Sequence, residues 1–234
     1  MPENWDHPSP GDVVKVVVTT AARDEAYRAI GRYMARFSEV VYSMRTLMAQ
    51  RISGGDGDRM KLAELALGGM TAEQLANPFF GMCRALTELD KPETEIETRL
   101  RRHVLDEIAE RNNIAHGDWT ITDMMEPEMY EALGGAPAFL LRIKPGSVGR
   151  PSVDTQELMV EDIDKLGDRV RELEGLVRDF GLICLDLREH WPEAPNRLGG
   201  KRVKDVLEIG ADRRVHRVNG HTGREFSPHL DEPA

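Results

Sequence analysis

The sequence predicts a mainly α-helical protein, a helical bundle with a small β-hairpin inserted. Three observations predict it. Apolar residues recur at spacings of three and four along several long segments, the period shortens to two between about residues 118 and 145, and no internal repeat or low-complexity block breaks the pattern.

The 234 residues are 40% hydrophobic and 31% charged. That suffices for one core of roughly 170 to 180 residues with loosely attached ends. The expected division is an N-terminal arm over 1–21, a bundle over 22–190 and a mobile, locally basic tail over 191–234.

The elements follow in order. The β-branched run VVKVVVTT at 13–20 reads as a strand or an extended arm. From Asp24, the residues Ile30, Met34, Phe37, Val41, Met44, Met48 and Ile52 form one side of a long helix, which SGGDGD ends. A second helix, about 59–67, stops at Gly68-Gly69. A third opens at Thr71 and runs toward Leu89, with Pro78 expected to kink or divide it. Asp90 and Pro92 begin the fourth, in which Ile96, Leu100, Val104 and Ile108 are spaced by four, and Gly117 is placed to end it.

The period then changes. WTIT and AFLLRIK alternate and predict a two-stranded hairpin with a long Gly-Gly-containing connection. The last helix is capped by Asp154 and Glu157 and followed by Pro192. It carries Met159, Ile163, Leu166, Val170, Leu173, Val177, Phe180, Cys184 and Leu187 in a 4-3 alternation. Such a heptad face serves either an intramolecular core or a dimer surface. Beyond Trp191 apolar periodicity fades, although KRVKDVLEIG could form one short helix.

A net charge of -10 argues against nucleic-acid binding driven by overall charge, so an anionic substrate needs a local basic patch. Cys83 and Cys184 have neither zinc nor redox-motif spacing and read as small apolar residues in a reducing compartment. MPENWDHPSP lacks the pattern of a secretory signal, and no window approaches about 18 consecutive apolar residues. A cytoplasmic protein that does not enter membranes is expected. GxxxxGK[ST], GxGxxG after a strand, GxSxG and HExxH do not occur, and no cofactor or metal set is expected.

The fourth helix ends unusually, in ERNNIAHGDW. Continuing its apolar stripe by three and four residues from Ile108 lands on Arg111 and Asn112, and burying such groups unpartnered costs several kcal/mol, on the order of 3–5. His116 follows Asn112 by four residues and shares its face. One reading is structural: His116 favours the helix macrodipole, Asn113 or Gly117 caps, and Arg111 pairs with a carboxylate. The other is that Arg111, Asn112 and His116 converge on a small anion.

RNNIAH resembles the Arg-x(4–6)-His motif of the HEPN (higher eukaryotes and prokaryotes nucleotide-binding) superfamily, with Asn112 as the polar residue after the arginine. IGRYMARFSEVVYSMRTLM is similar to the first helix of bacterial HEPN-like proteins, with weaker support from GGMTAEQLANPFF and LRIKPGS. The resemblance runs from about residue 26 to 187. Where it leads one to expect a glutamate in the first helix, this chain has Val41, and its own Glu39 lies two positions earlier.

The resemblance implies a HEPN-like bundle that forms a homodimer, so that two motifs face each other as a metal-independent endoribonuclease site. In that site His116 moves a proton, Arg111 steadies the phosphorane and Asn112 orients the histidine. A toxin–antitoxin or defence role with a cognate neutralising protein goes with it. The alternative is a non-catalytic HEPN-like module that binds a nucleotide or a protein.

Arg99, Arg102 and His103, in RLRRH, are candidates for holding RNA, or else form a solvated face paired with ETEIET just before them.

Overall fold

The structure, a computed structural model, describes residues 10–116, 118–121, 138–144, 152–158, 160–188 and 198–218. It is mainly helical with small antiparallel sheets. Gly117, Met159, Pro192, the hairpin connection and residues 219–234 lie outside the described residues.

Helix α1 spans Pro10–Ser53. The segment 13–20, expected as a strand or an extended arm, is therefore helix. Its β-branched residues each lower helix propensity by only some tenths of a kcal/mol, and proline at the first helical position is favourable. The buried face matches the expected one in part: Phe37, Met44 and Met48 are buried, Ile30, Met34 and Val41 are half-buried and Ile52 is exposed, while Ala26, Ala29, Tyr33, Val40 and Leu47 complete the buried side. Gly54 and Gly55 take positive φ (59° and 87°) to turn the chain.

Asp56 then caps α2 (Gly57–Gly68) by accepting from the amides of Asp58 and Arg59 at 3.0 and 2.9 Å. Helix α3 (Ala72–Leu86) begins with a reciprocal box of Thr71 and Gln74. It continues unbroken through Pro78, the missing amide bond being offset by burial of Leu75, Ala76, Phe79, Phe80 and Cys83. Asp90 and Glu93 exchange cap bonds at 3.1 Å to start α4 (Lys91–His116).

Three strands follow where two were expected. β1 (Asp118–Ile121), β2 (Ala138–Lys144) and β3 (Ser152–Leu158) form an antiparallel sheet in that order, with Trp119 opposite Leu140 and Arg142 opposite Asp154. Asp154 and Glu157 are thus strand residues and not the cap of the last helix. That helix, α5, is Val160–Cys184. It ends where Asp186 takes φ 55° and the Leu187 amide reaches back to the Leu182 carbonyl at 3.0 Å. Its heptad positions Ile163, Val170, Leu173, Val177, Phe180, Cys184 and Leu187 are buried inside the single chain. These positions serve the intramolecular core, and Leu166 of the same set is half-buried.

The chain divides into two compact units, residues 1–37 with 109–170, and residues 38–108 with 171–234. In the first, α1 and α5 are tied by Arg32 to Asp164 (2.9 Å) and Arg36 to Asp168 (2.8 Å). In the second, α1 and α5 are joined by Ser43 donating to Glu174 (2.6 Å), and Phe79, Phe80 and Phe180 form an aromatic cluster with centroids 5.1 and 5.8 Å apart. Gly181 is required beside it, because a Cβ there would lie 2.8 Å from Leu47 Cδ1 and 2.9 Å from Phe79 Cζ. Cys83 and Cys184 are both buried thiols, and burial pushes that of Cys83 up, away from the reactive thiolate.

Part of the segment expected to be a mobile tail is folded. Residues 203–206 form a short helix, α6, followed by β4 (Leu207–Ile209) and β5 (Val215–Arg217), a hairpin in which Ile209 faces Val215. Leu198, Val203, Val206, Leu207 and Val215 are buried. Three of its basic residues are tied down as well: Arg202 to Glu93 at 2.5 Å, Lys204 to Asp90 at 2.6 Å and Arg217 to Asp179 at 2.8 Å. Five apolar residues at irregular spacing suffice for a hairpin packed by its neighbours, which is why no period announces it.

His216 on β5 makes this hairpin pH-sensitive. Its ring bonds Asp212 at 2.9 Å and lies 3.6 Å from Glu172, and the Asp212 bond raises its pKa above the usual histidine value. The same bond lowers Asp212. The histidine contribution is therefore complete below its unfolded value of about 6.5 and is lost as pH rises through its elevated folded value. The Asp212 contribution is present above about 3.9 and fades as pH falls through its lowered one. Thermal melting followed from pH 6 to 9 is expected to show a decline that His216→Ala flattens. A wild-type decline that the substitution leaves untouched would contradict the assignment.

Candidate functional site

The buried line of α4 follows a 4-3 alternation: Glu93, Glu97, Leu100, Val104, Glu107, Arg111, Ile114. Six of these are 2% exposed or less, Ile114 among them, and Arg111 is half-buried. Strict i+4 spacing drifts about 40° per step around a helix, whereas a 4-3 alternation stays on one side. Arg111 thus does lie on the core line, while Asn112 and His116 have rotated out and are exposed. The line does not end in polar groups; it closes on Ile114.

Polar groups on this line are held by partners. Glu93 is bonded by Arg202. Burial pushes its carboxyl up, but the Arg202 guanidinium pulls it down and prevails, leaving it below the ordinary value. Glu97 pairs with Arg84, and Glu107 lies 3.8 Å from His103. These buried acids were missed in the sequence because glutamate reads as solvent-facing unless its partner is known.

Arg111 is held differently. Its Nη1 donates to Asn112 Oδ1 at 3.0 Å, and its guanidinium carbon stands 5.9 Å from the centroid of the buried Phe37 ring on α1. Nε is buried and has no hydrogen-bond partner among the described residues. The structural reading that gave Arg111 a carboxylate partner finds none among the described residues. Arg111 and Asn112 are brought together; His116, one turn beyond Asn112, is exposed at the last residue of α4.

Arg99, Arg102 and His103 belong to the second unit, whereas Arg111, Asn112 and His116 belong to the first. Arg99 bonds Glu95 at 2.7 Å and the Arg213 carbonyl at 3.1 Å. Arg102 lies 3.9 Å from Asp106, both exposed. Glu95, from ETEIET, is thus one partner of this segment, while His103 is half-buried beside Glu107. Val41 is half-buried, and Glu39 is exposed.

Chemically, the end of α4 offers a fixed cation on a partly desolvated face, an amide and an accessible imidazole within two helical turns. Such a set can receive a phosphate and exchange one proton with it. Among the described residues no His, Cys, Asp and Glu side chains are grouped to hold a metal ion, and no helix is long and apolar enough to cross a membrane. No protein-family model, curated protein or solved structure matches the chain.

Proposed function

We propose that the chain is a HEPN-like, metal-independent endoribonuclease whose site is Arg111, Asn112 and His116. The observation that carries this reading is Arg111: a guanidinium kept on the core line of α4, with an aromatic ring and an amide where a carboxylate would ordinarily stand. The RNNIAH resemblance supports it.

The reaction forms a bond from the RNA 2′-oxygen to the adjacent phosphorus and breaks the bond from phosphorus to the 5′-oxygen. His116 accepts the 2′-hydroxyl proton, and Arg111 neutralises the charge that builds on the phosphorane oxygens. A proton must also reach the departing 5′-oxygen. One motif carries one histidine, so a homodimer with facing motifs supplies the second. Growth inhibition as a toxin or defence effector, checked by a neutralising protein, is the biological setting that fits such an activity.

Two observations favour a second reading, a non-catalytic module that binds a nucleotide or a protein. The first helix carries Val41 where the resemblance leads one to expect glutamate, and Arg111 already has Asn112 as a partner. The test is incubation of end-labelled RNA with micromolar purified protein in EDTA. The RNase reading expects shortened RNA; full-length RNA retained on the protein would select the binding module.

A further inference from the structure

A half-buried arginine can turn about several side-chain bonds, yet recognition of a phosphate needs its five N–H donors in one fixed plane. At Arg111 two contacts restrict that plane. Asn112, the next residue on the same helix, takes Nη1 at 3.0 Å. One such bond leaves the guanidinium free to swivel about it. The second contact comes from a different helix: the ring of Phe37, 5% exposed, 5.9 Å from the guanidinium carbon.

The location of the aromatic contact matters. Nε is buried without a hydrogen-bond partner among the described residues, a situation that ordinarily drives a guanidinium outward toward water. The electron-rich face of Phe37 attracts the cation and offsets that tendency. Nη2 makes no hydrogen bond with any described residue.

We propose that Phe37 is a positioning residue of this site: its ring, together with the Asn112 carboxamide, fixes the Arg111 guanidinium so that Nη2 meets the phosphodiester. The ligand in this statement rests on the RNase reading; the restraint on Arg111 does not. Asn112 then acts on the arginine and not, as the resemblance implies, on the histidine.

The test compares Phe37→Leu, which keeps an apolar side chain and removes the ring, with Phe37→Trp, which keeps an aromatic face. Two quantities are read: the NMR signal of the Arg111 Nε–Hε group, identified by its loss in Arg111→Lys, and kcat and KM for RNA cleavage in EDTA. Circular dichroism melting accompanies both, and Phe37→Met replaces the leucine variant if that variant melts early.

The expected result is that Phe37→Leu loses the ring-current displacement of the Arg111 signal and lowers kcat by about fivefold to thirtyfold, while Phe37→Trp recovers both. An unchanged Arg111 signal with wild-type kcat in Phe37→Leu overturns the proposal. So does an equal loss in the leucine and tryptophan variants, which would assign the effect to packing volume. If wild type cleaves no RNA, titration with inorganic phosphate reads the same contact. A weaker phosphate response of the Arg111 signal in Phe37→Leu, recovered in Phe37→Trp, sinks the RNase reading and sustains the positioning role; an identical response in all three overturns it.

Discussion

His116→Ala is expected to lower metal-independent RNA cleavage by about 10²- to 10⁴-fold, the range lost with a general acid–base group, and to leave stability within about 0.5 kcal/mol. The side chain is exposed at the last residue of α4, so its removal opens no cavity and strands no buried partner. What it gives the helix is a favourable interaction with the macrodipole, worth some tenths of a kcal/mol when protonated. Arg111→Ala should abolish cleavage as well, but with a measurable fall in melting temperature, because Arg111 lies on the core line over Phe37. The contrast between the two variants discriminates the readings. A histidine kept for structure would give the reverse pattern, a clear loss of stability and no activity to lose.

Phe180→Ala carries the largest stability effect expected in the second unit, about 3–5 kcal/mol. Phe180 is fully buried on α5, its ring is 5.8 Å from that of Phe80, and Phe80 in turn meets Phe79 edge-on at 5.1 Å. The helix around it is buried on nearly every side from Leu173 to Leu185, so the lost ring leaves a void that its neighbours are poorly able to fill. Urea unfolding followed by circular dichroism measures it directly. A loss below about 1 kcal/mol, typical of a surface site, would contradict this description of the core.

How much of this was legible in the sequence depended on whether neighbouring residues alone set the outcome. Helix starts were readable where a side chain caps its own backbone, as Thr71 and Asp90 do. The buried face of α5 was readable because seven apolar positions share one period. The strand or extended arm expected at 13–20 shows the limit of propensity: a modest β preference yields to incorporation in a 44-residue helix. β3 was missed for the converse reason, since SVDTQEL has the acids of a helix cap and its strand state depends on pairing with β2.

The candidate site divides in the same way. Arg111, Asn112 and His116 stood out because polar residues interrupted an apolar stripe. The stripe itself, Ile96, Leu100, Val104 and Ile108, is buried as expected; extending it in fours past Ile108 placed Asn112 in the core and overlooked Ile114. Phe37 could not be found at all, because its role at the site is a contact across 74 residues of sequence between two helices. In a list of apolar positions it is one core residue among many.

The most direct test of the central claim is the chemistry of the product ends. Wild-type protein in EDTA is given an RNA and, beside it, the same RNA with a single 2′-deoxy substitution at the mapped cleavage position. Products ending in 2′,3′-cyclic phosphate, with the deoxy-substituted position left intact, are the predicted result, because the 2′-oxygen is the nucleophile. Uncleaved RNA, or cleavage that proceeds unchanged at the deoxy position, would contradict it.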